Sequence, residues 1–380
     1  MKLTKKHTGT AVTIFTEMSA LAQKNNAINL SQGFPDYEID DRLKQLLAKA
    51  TQQNFNQYAP LSGNPLLIQN LIEFNRKREN PIYFNGPEIC IIPGATYGIY
   101  TALATIIEPN DEVVLIEPAY DSYRPAVEMQ GGIPISISLN ENFEMNWEDL
   151  KAKINPRTRA IIINTPHNPS GIIWSFDDWE QLWNIIKDTE ILVISDEVYD
   201  LITFDDYQFT SAQHHPELKK RAFSVFSFGK MIHITGWKVG YILAPESLMA
   251  AFRSIHQYLV FCVNAPGQQA LAEYLEVFDV QENRNFMQQK RDFFLSEMKE
   301  TPFTLKNRAE GGYFQVLGYE KFSDKNDKDF AVWLTEQHQV ATIPMSAFYS
   351  NQTNTQSVRF CFTKKEETIM NAVKNLKKLL

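Results

Sequence analysis

Lys230 closes the segment Ser227-Phe228-Gly229-Lys230, and a second lysine, Lys238, follows eight residues later in Gly236-Trp237-Lys238. Two amines with a hydroxyl and glycines suit a phosphate, and a desolvated lysine amine equally suits imine formation with a carbonyl. Upstream, Asp196-Glu197-Val198-Tyr199 sets a carboxylate and a phenol at the end of the apolar run 191–195. Burying such an acid is costly unless a cation or hydrogen-bond donors face it, so Asp196 implies a buried cationic group nearby or, alternatively, a helix cap. Thr165-Pro166-His167-Asn168-Pro169-Ser170-Gly171 carries the amide of Asn168 between two prolines, held stiffly toward a ligand or part of a plain turn. Pro93-Gly94-Ala95-Thr96 opens a helical stretch with small residues that leave backbone N–H groups free for an anion, as many strand-to-helix turns do.

Each segment follows a short apolar run, and such runs recur at residues 88–92, 112–116, 133–139, 159–164, 191–195, 222–226 and 239–243. The runs at 159–164 (RAIIIN) and 191–195 (ILVIS) lack polar alternation, which suits strands covered on both faces. Helical stretches such as 95–107 separate them, so crossover connections and a largely parallel α/β sheet are expected. Open sheets of this kind bind ligands beyond the carboxyl ends of their strands, where the four segments fall.

Beyond about residue 280 the pattern changes. Residues 281–300 read as a long helix with Phe286, Phe293, Phe294 and Met298 on one side. A strand pair follows at 303–307 and 313–317, joined across Gly311 and Gly312, then a helix at 327–339 and a strand at 357–362. The last helix is expected to start with Thr363 and Glu366 as a capping box and to bury Ile369, Val373, Leu376 and Leu380. The expected organisation is an arm at 1–40 forming part of a small domain, a large α/β domain at 41–280, and a smaller α+β domain at 281–380.

Composition narrows the function classes. A chain of 380 residues with 44% hydrophobic and 22% charged content is an ordinary globular protein long enough for two domains. Its net charge of -8 argues against a broad nucleic-acid surface. Cys90, Cys262 and Cys361 are far apart and form no C-x-x-C pair, so free thiols in a reducing compartment are expected. The first thirty residues have no continuous apolar core, no window suits a membrane span, and the histidines never form His-Glu-x-x-His. A cytoplasmic protein without a bound metal is the expectation.

An anion cradle, a buried acid, a phenol, an amide and an amine at one sheet edge are what pyridoxal 5'-phosphate (PLP) requires. From Asn29 to Phe362 the chain resembles the class I and II aminotransferases of PLP fold type I. The resemblance implies a large domain with a mostly parallel seven-stranded sheet between helices and a smaller α+β domain. It implies that PLP is held as a Schiff base on Lys230, with Gly94, Ala95, Thr96, Ser227 and Lys238 on the phosphate. Asp196 then matches the partner of the pyridine nitrogen, Asn168 and Tyr199 the donors to the ring oxygen, and Tyr120 the stacked aromatic. Tyr58, in Gln-Tyr-Ala-Pro-Leu-Ser-Gly, matches a tyrosine that reaches the neighbouring subunit's phosphate, which implies a homodimer.

Arg359, in Val-Arg-Phe-Cys-Phe, matches the arginine that grips a substrate α-carboxylate, aided by the Gly33 backbone in Ser-Gln-Gly-Phe-Pro-Asp. Phe34, Tyr37, Tyr123 and Phe348 are candidates for the side-chain pocket. Lys238, where many relatives have arginine, together with Ser-Gln-Gly-Phe-Pro-Asp, is similar to the branch of methionine, kynurenine and glutamine-K aminotransferases, the first most of all. The implied reaction moves the amino group of an apolar, thioether or aromatic L-amino acid to a 2-oxo acid, with Lys230 as base and then acid. The alternative on the same residues is a cysteine-conjugate carbon–sulfur β-lyase.

Overall fold

The computed structural model describes residues 5–7 and 12–380. Its centre is a seven-stranded sheet ordered Ile89–Ile92, Gly240–Leu243, Ala222–Ser227, Leu192–Asp196, Thr158–Asn164, Glu112–Glu117 and Ile133–Ser138. Each expected run became a strand with ends moved by a residue or two. The sheet is parallel except at Gly240–Leu243, which runs against both neighbours. That reversed strand lies flat on its neighbour: Tyr241 stacks on Phe226 with ring centroids 4.6 Å apart. A Cβ on Gly240 would sit 2.3 Å from the Phe226 carbonyl oxygen, so only glycine permits this approach.

Helices cover both faces because the strands are apolar on both. Ala95–Ile106 packs on one face with Ile99, Ala102 and Leu103 inward, and Phe176–Ile186 covers the other with Trp179, Leu182 and Ile186. Three further helices, Ile14–Lys24, Asp41–Gln52 and Pro65–Arg76, start at side-chain caps from Thr13, Asp40 and Asn64.

The C-terminal part holds a four-stranded sheet ordered Ile343–Pro344, Ser357–Cys361, Phe314–Gly318 and Thr304–Leu305. The helices are Val280–Met298, Asp327–His338 and Glu366–Leu376. Ile28–Asn29 pairs in parallel with Val340–Ala341, so the N-terminal strand belongs to this part of the fold. One apolar core runs from Val198, Tyr199 and Phe204, in the segment after the Leu192–Asp196 strand, into Phe294, Phe314 and Phe360 of the C-terminal part.

Two expectations about helices need correction. In Val280–Met298 the inward face is Met287, Phe294 and Met298, whereas Phe286 and Phe293 are only half-buried. The Thr363–Glu366 capping box does not form, because Glu366–Leu376 begins two residues later, after Lys365. Asp36 caps it from across the chain instead: its carboxylate accepts from the Lys365 N–H at 2.6 Å and from Thr368 Oγ1 at 2.7 Å. Leu380 lies beyond the helix and is 84% exposed, so it is not in the stripe. No helix among the described residues is long and apolar enough to cross a membrane.

Candidate active site

A cavity of about 1160 Å³ opens at the carboxyl ends of the strands, between the two sheets. Its walls include Gly33, Phe34, Gly94, Ala95, Thr96, Tyr120, Asn168, Asp196, Tyr199, Ser227, Lys230, Lys238 and Arg359. The expected cofactor and carboxylate residues other than Tyr58 thus reach a single space, from segments that span most of the chain.

Lys230 stands one turn past the Ala222–Ser227 strand, with its Nζ donating to the Gly33 carbonyl at 3.0 Å. The amine lies between the rings of Tyr199 and Tyr313, at 5.6 and 5.5 Å from their centroids. Burial lowers its pKa to about 8, with Arg359 and Lys238 adding to the shift and Cys361 and Asp196 opposing it. An amine so placed is neutral, and nucleophilic, at far lower pH than a solvated lysine. Tyr313 holds the segment's backbone, its hydroxyl donating to the Lys230 carbonyl at 2.5 Å.

Asp196 ends its strand fully enclosed. Burial raises its carboxyl to about 6, against a hydrogen bond from Tyr123 and the more distant charge of Lys230. The expected direct partner is therefore not a cation but a phenol: Tyr123 donates to Asp196 Oδ2 at 2.6 Å. Asn164, which the sequence did not single out, ties this strand end to the next loop. Its Nδ2 donates to the Asp196 carbonyl at 2.9 Å and its Oδ1 accepts from the Asn168 N–H at 2.8 Å. His167 stiffens that loop by donating from Nε2 to the Pro118 carbonyl at 2.9 Å.

Arg359 lies on the Ser357–Cys361 strand and is 1% exposed. Nη1 donates to Asn168 Oδ1 at 2.7 Å and Nη2 to the Ser31 carbonyl at 2.8 Å. The guanidinium is stacked 3.8 Å from the Phe314 ring centre, with Phe15 and Phe348 at 5.2 and 5.1 Å. Burial lowers its pKa to about 10, and Nε has no partner. A buried donor left open in this way marks where an anion fits.

The phosphate-type donors Gly94, Ala95, Thr96, Ser227 and Lys238 line the same cavity. Gly94, at φ +88°, precedes the Ala95–Ile106 helix, whose first N–H groups face the cavity. A Cβ on Gly94 would come within 3.2 Å of Lys238 Cε and Nζ, so the glycine admits the amine. Residues of these kinds fit PLP: an anion cradle, an amine lowered by burial, and a buried acid, all lining one cavity. Tyr120 lines the space beside them, its phenol pushed up to about 12 by burial.

Some expectations fail or shift. Tyr37 does not line the cavity; its ring packs on Phe286 and His233, and its hydroxyl reaches His233 Nδ1 at 3.4 Å. Tyr123 serves Asp196 more than a side-chain pocket, and Phe348 acts as a prop for Arg359. Tyr58 also lies outside the cavity: it is 82% exposed and packs edge-on to Phe261. Phe15, on the Ile14–Lys24 helix and not singled out by the sequence, lines the cavity beside Arg359. Among the described residues no cluster of three or more His, Cys, Asp or Glu could hold a metal ion.

The sequence profile of the family "Aminotransferase class I and II" matches residues 25–376. The chain is 42% identical to the methionine aminotransferase of Escherichia coli strain K12 over 97% of its own length and 96% of the relative's. It is 28% identical to kynurenine–oxoglutarate transaminase 1 of Rattus norvegicus, covering 96% of this chain and 95% of that one. Among solved structures it resembles YbdL of Escherichia coli, described as having a methionine aminotransferase function. That match has a TM-score of 0.96, 40% identity and complete coverage of both chains. The N-succinyldiaminopimelate aminotransferase of Mycobacterium tuberculosis matches with a TM-score of 0.94 and 33% identity, again over the whole of both chains.

Proposed function

The chain belongs to the class I and II aminotransferases, and on that premise we propose that it holds PLP on Lys230 and prefers apolar, thioether or aromatic L-amino acids, methionine foremost, as amino donors to a 2-oxo acid. The observation that carries this reading is the pairing, across one cavity, of a Lys230 amine lowered to about 8 with a buried Arg359 that keeps an unpartnered Nε.

Bound there, PLP supplies a carbonyl carbon and an electron-withdrawing ring that make an amino acid's Cα–H removable. The first N–H groups of the Ala95–Ile106 helix, with Gly94, Thr96, Ser227 and Lys238, hold the phosphate. Asp196 would partner the ring nitrogen, Asn168 and Tyr199 the ring oxygen, and Tyr120 the ring face. Arg359 and the Gly33 backbone orient the α-carboxylate. Lys230 Nζ, once free, takes the Cα proton and later returns it. Phe15, Phe34 and Phe314 keep water from the reacting atoms.

The preference for methionine-like donors is supported by the likeness to the Escherichia coli methionine aminotransferase and by the aromatic lining around Arg359. Tyr58, exposed beside Phe261 and close in sequence to no cavity residue, suits a homodimer in which it reaches the neighbouring site. The free thiols of Cys90, Cys262 and Cys361 suit a reducing compartment such as the cytoplasm. A carbon–sulfur β-lyase is the poorer reading, since the similar proteins found are aminotransferases.

The test is the visible spectrum of the PLP-loaded protein before and after L-methionine, with no oxo acid present. The lysine-bound band should give way to that of the amine form, and Lys230→Ala should abolish the change. If no amino acid produces it, the reading fails; pyruvate and ammonia from a cysteine conjugate would instead favour the lyase.

A further inference from the structure

We propose that Lys364 is a positioning residue which, by holding the Phe34 carbonyl, sets how far the side-chain wall of the cavity stands from Arg359 and so selects the length of the bound amino acid. The inference rests on the reading of this cavity as the amino-acid site.

Lys364 is 3% exposed, yet among the described residues its ammonium forms no ion pair. Its Nζ donates to the Phe34 carbonyl at 2.7 Å and lies 4.5 Å from the centre of the Phe34 ring. A buried ammonium without a carboxylate is costly. This one also stands just ahead of the Glu366–Leu376 helix, at the end where the helix dipole disfavours positive charge. Fold stability therefore gives no reason for a lysine here. What it does touch is the cavity wall: Phe34 lines the cavity and is 45% exposed, so its ring is held from behind and free in front.

The contact is one link in a register between two segments. The Leu30 carbonyl accepts from the Cys361 N–H at 2.8 Å, and the Ser31 carbonyl from Arg359 Nη2 at 2.8 Å. The Phe34 carbonyl accepts from Lys364, and the Asp36 carboxylate from the Lys365 N–H at 2.6 Å and Thr368 Oγ1 at 2.7 Å. Residues 30–36 are thus pinned, point by point, to residues 359–368. The anchored end is Arg359, where a carboxylate docks, and the far end is Phe34, which a side chain meets. Lys364 and Asp36 fix the distance between them. Losing either one frees the wall at Phe34 while the Arg359 guanidinium stays held by Asn168 and Ser31.

Two unreactive acids separate the two ends: propionate, which reaches only Arg359, and hexanoate, which also reaches the wall. Each is titrated calorimetrically into the PLP-loaded wild type, Lys364→Met and Asp36→Ala. In Lys364→Met the Kd for hexanoate should rise about tenfold, the cost of one charge-assisted hydrogen bond, with propionate within about twofold. The KM for L-methionine should rise with it while kcat stays within about twofold. Asp36→Ala should move the hexanoate-to-propionate ratio the same way. An unchanged hexanoate Kd in both variants, or equal loss of both acids together with a fall in Tm, would overturn the proposal. Failure of either acid to bind the wild type would instead remove the amino-acid site itself, and the inference with it.

Discussion

Arg359→Lys keeps the charge and removes the fork, and the structure sets what that should cost. The guanidinium has five N–H donors; two are committed to Asn168 and Ser31, which leaves three, among them the unpartnered Nε. A lysine ammonium has three donors on one point. Satisfying Asn168 and Ser31 would occupy two, so a carboxylate would meet at most one hydrogen bond in place of a two-point grip. Losing one charge-assisted bond is worth about 1.5–3 kcal/mol, or roughly 10- to 150-fold in kcat/KM. The stacking of the planar group 3.8 Å from the Phe314 ring centre is lost as well, which keeps the expectation away from the low end. Steady-state kinetics with L-methionine would read the change, mostly in KM because the carboxylate is gripped before and during the reaction alike. A kcat/KM within about twofold of wild type would refute the assignment of Arg359 as the carboxylate anchor.

Gly33→Ala should disturb the same anchor sterically. A Cβ there would lie 2.5 Å from Phe314 Cζ, so the ring stacked on Arg359 must shift, at a cost of about 1–3 kcal/mol in calorimetric unfolding and with a raised KM. Unaltered Tm and KM would show that the ring has room to move. Tyr123→Phe removes the 2.6 Å donor to Asp196, whose carboxyl then climbs further above about 6. Because the ionised form is the useful one, activity lost on acidification should be lost at higher pH in this variant; an acid limb that stays put in a kcat/KM profile would count against the assignment.

The sheet was legible because its central strands, Thr158–Asn164 and Leu192–Asp196 above all, are apolar and β-branched runs, and covered strands carry that signature without help from their surroundings. The carboxyl-end chemistry was legible for the same reason: Asp196, Asn168 and Lys230 each follow such a run within a few residues. What escaped was everything fixed by contact across the chain. Tyr123 looks like any pocket aromatic until its hydroxyl is found on Asp196. Thr363 and Glu366 have the spacing of a capping box, yet Asp36, more than three hundred residues upstream, caps that helix. Phe15 lies in a stretch whose local pattern says only that a helix is present, and its place beside Arg359 follows from how that helix docks on the C-terminal sheet. Local periodicity carries the elements; partner identity is set by docking.

The charges around the cavity yield one more expectation, and it bears on why Lys230 can act as a base at all. Burial is the main reason its amine falls to about 8, and the positive neighbours Arg359 and Lys238 push it the same way. Arg359 is itself lowered by burial, to about 10, so the site holds more buried positive charge than its acids balance. Two anions would balance that charge, one at Lys238 and one at Arg359. An anion at Lys238 cancels a like charge, which favours the protonated amine, so the pKa of Lys230 must move up and not down. The measurement is the rate at which the PLP-free protein condenses with pyridoxal, which carries no phosphate, as a function of pH. Without added anion the rate should rise through about pH 8 as the amine loses its proton. Inorganic phosphate should shift that rise to higher pH, and Lys238→Met should shift it upward as well while removing the response to phosphate. A shift to lower pH, or a phosphate response that survives in Lys238→Met, would show that the amine is tuned by something other than the charges that surround it here.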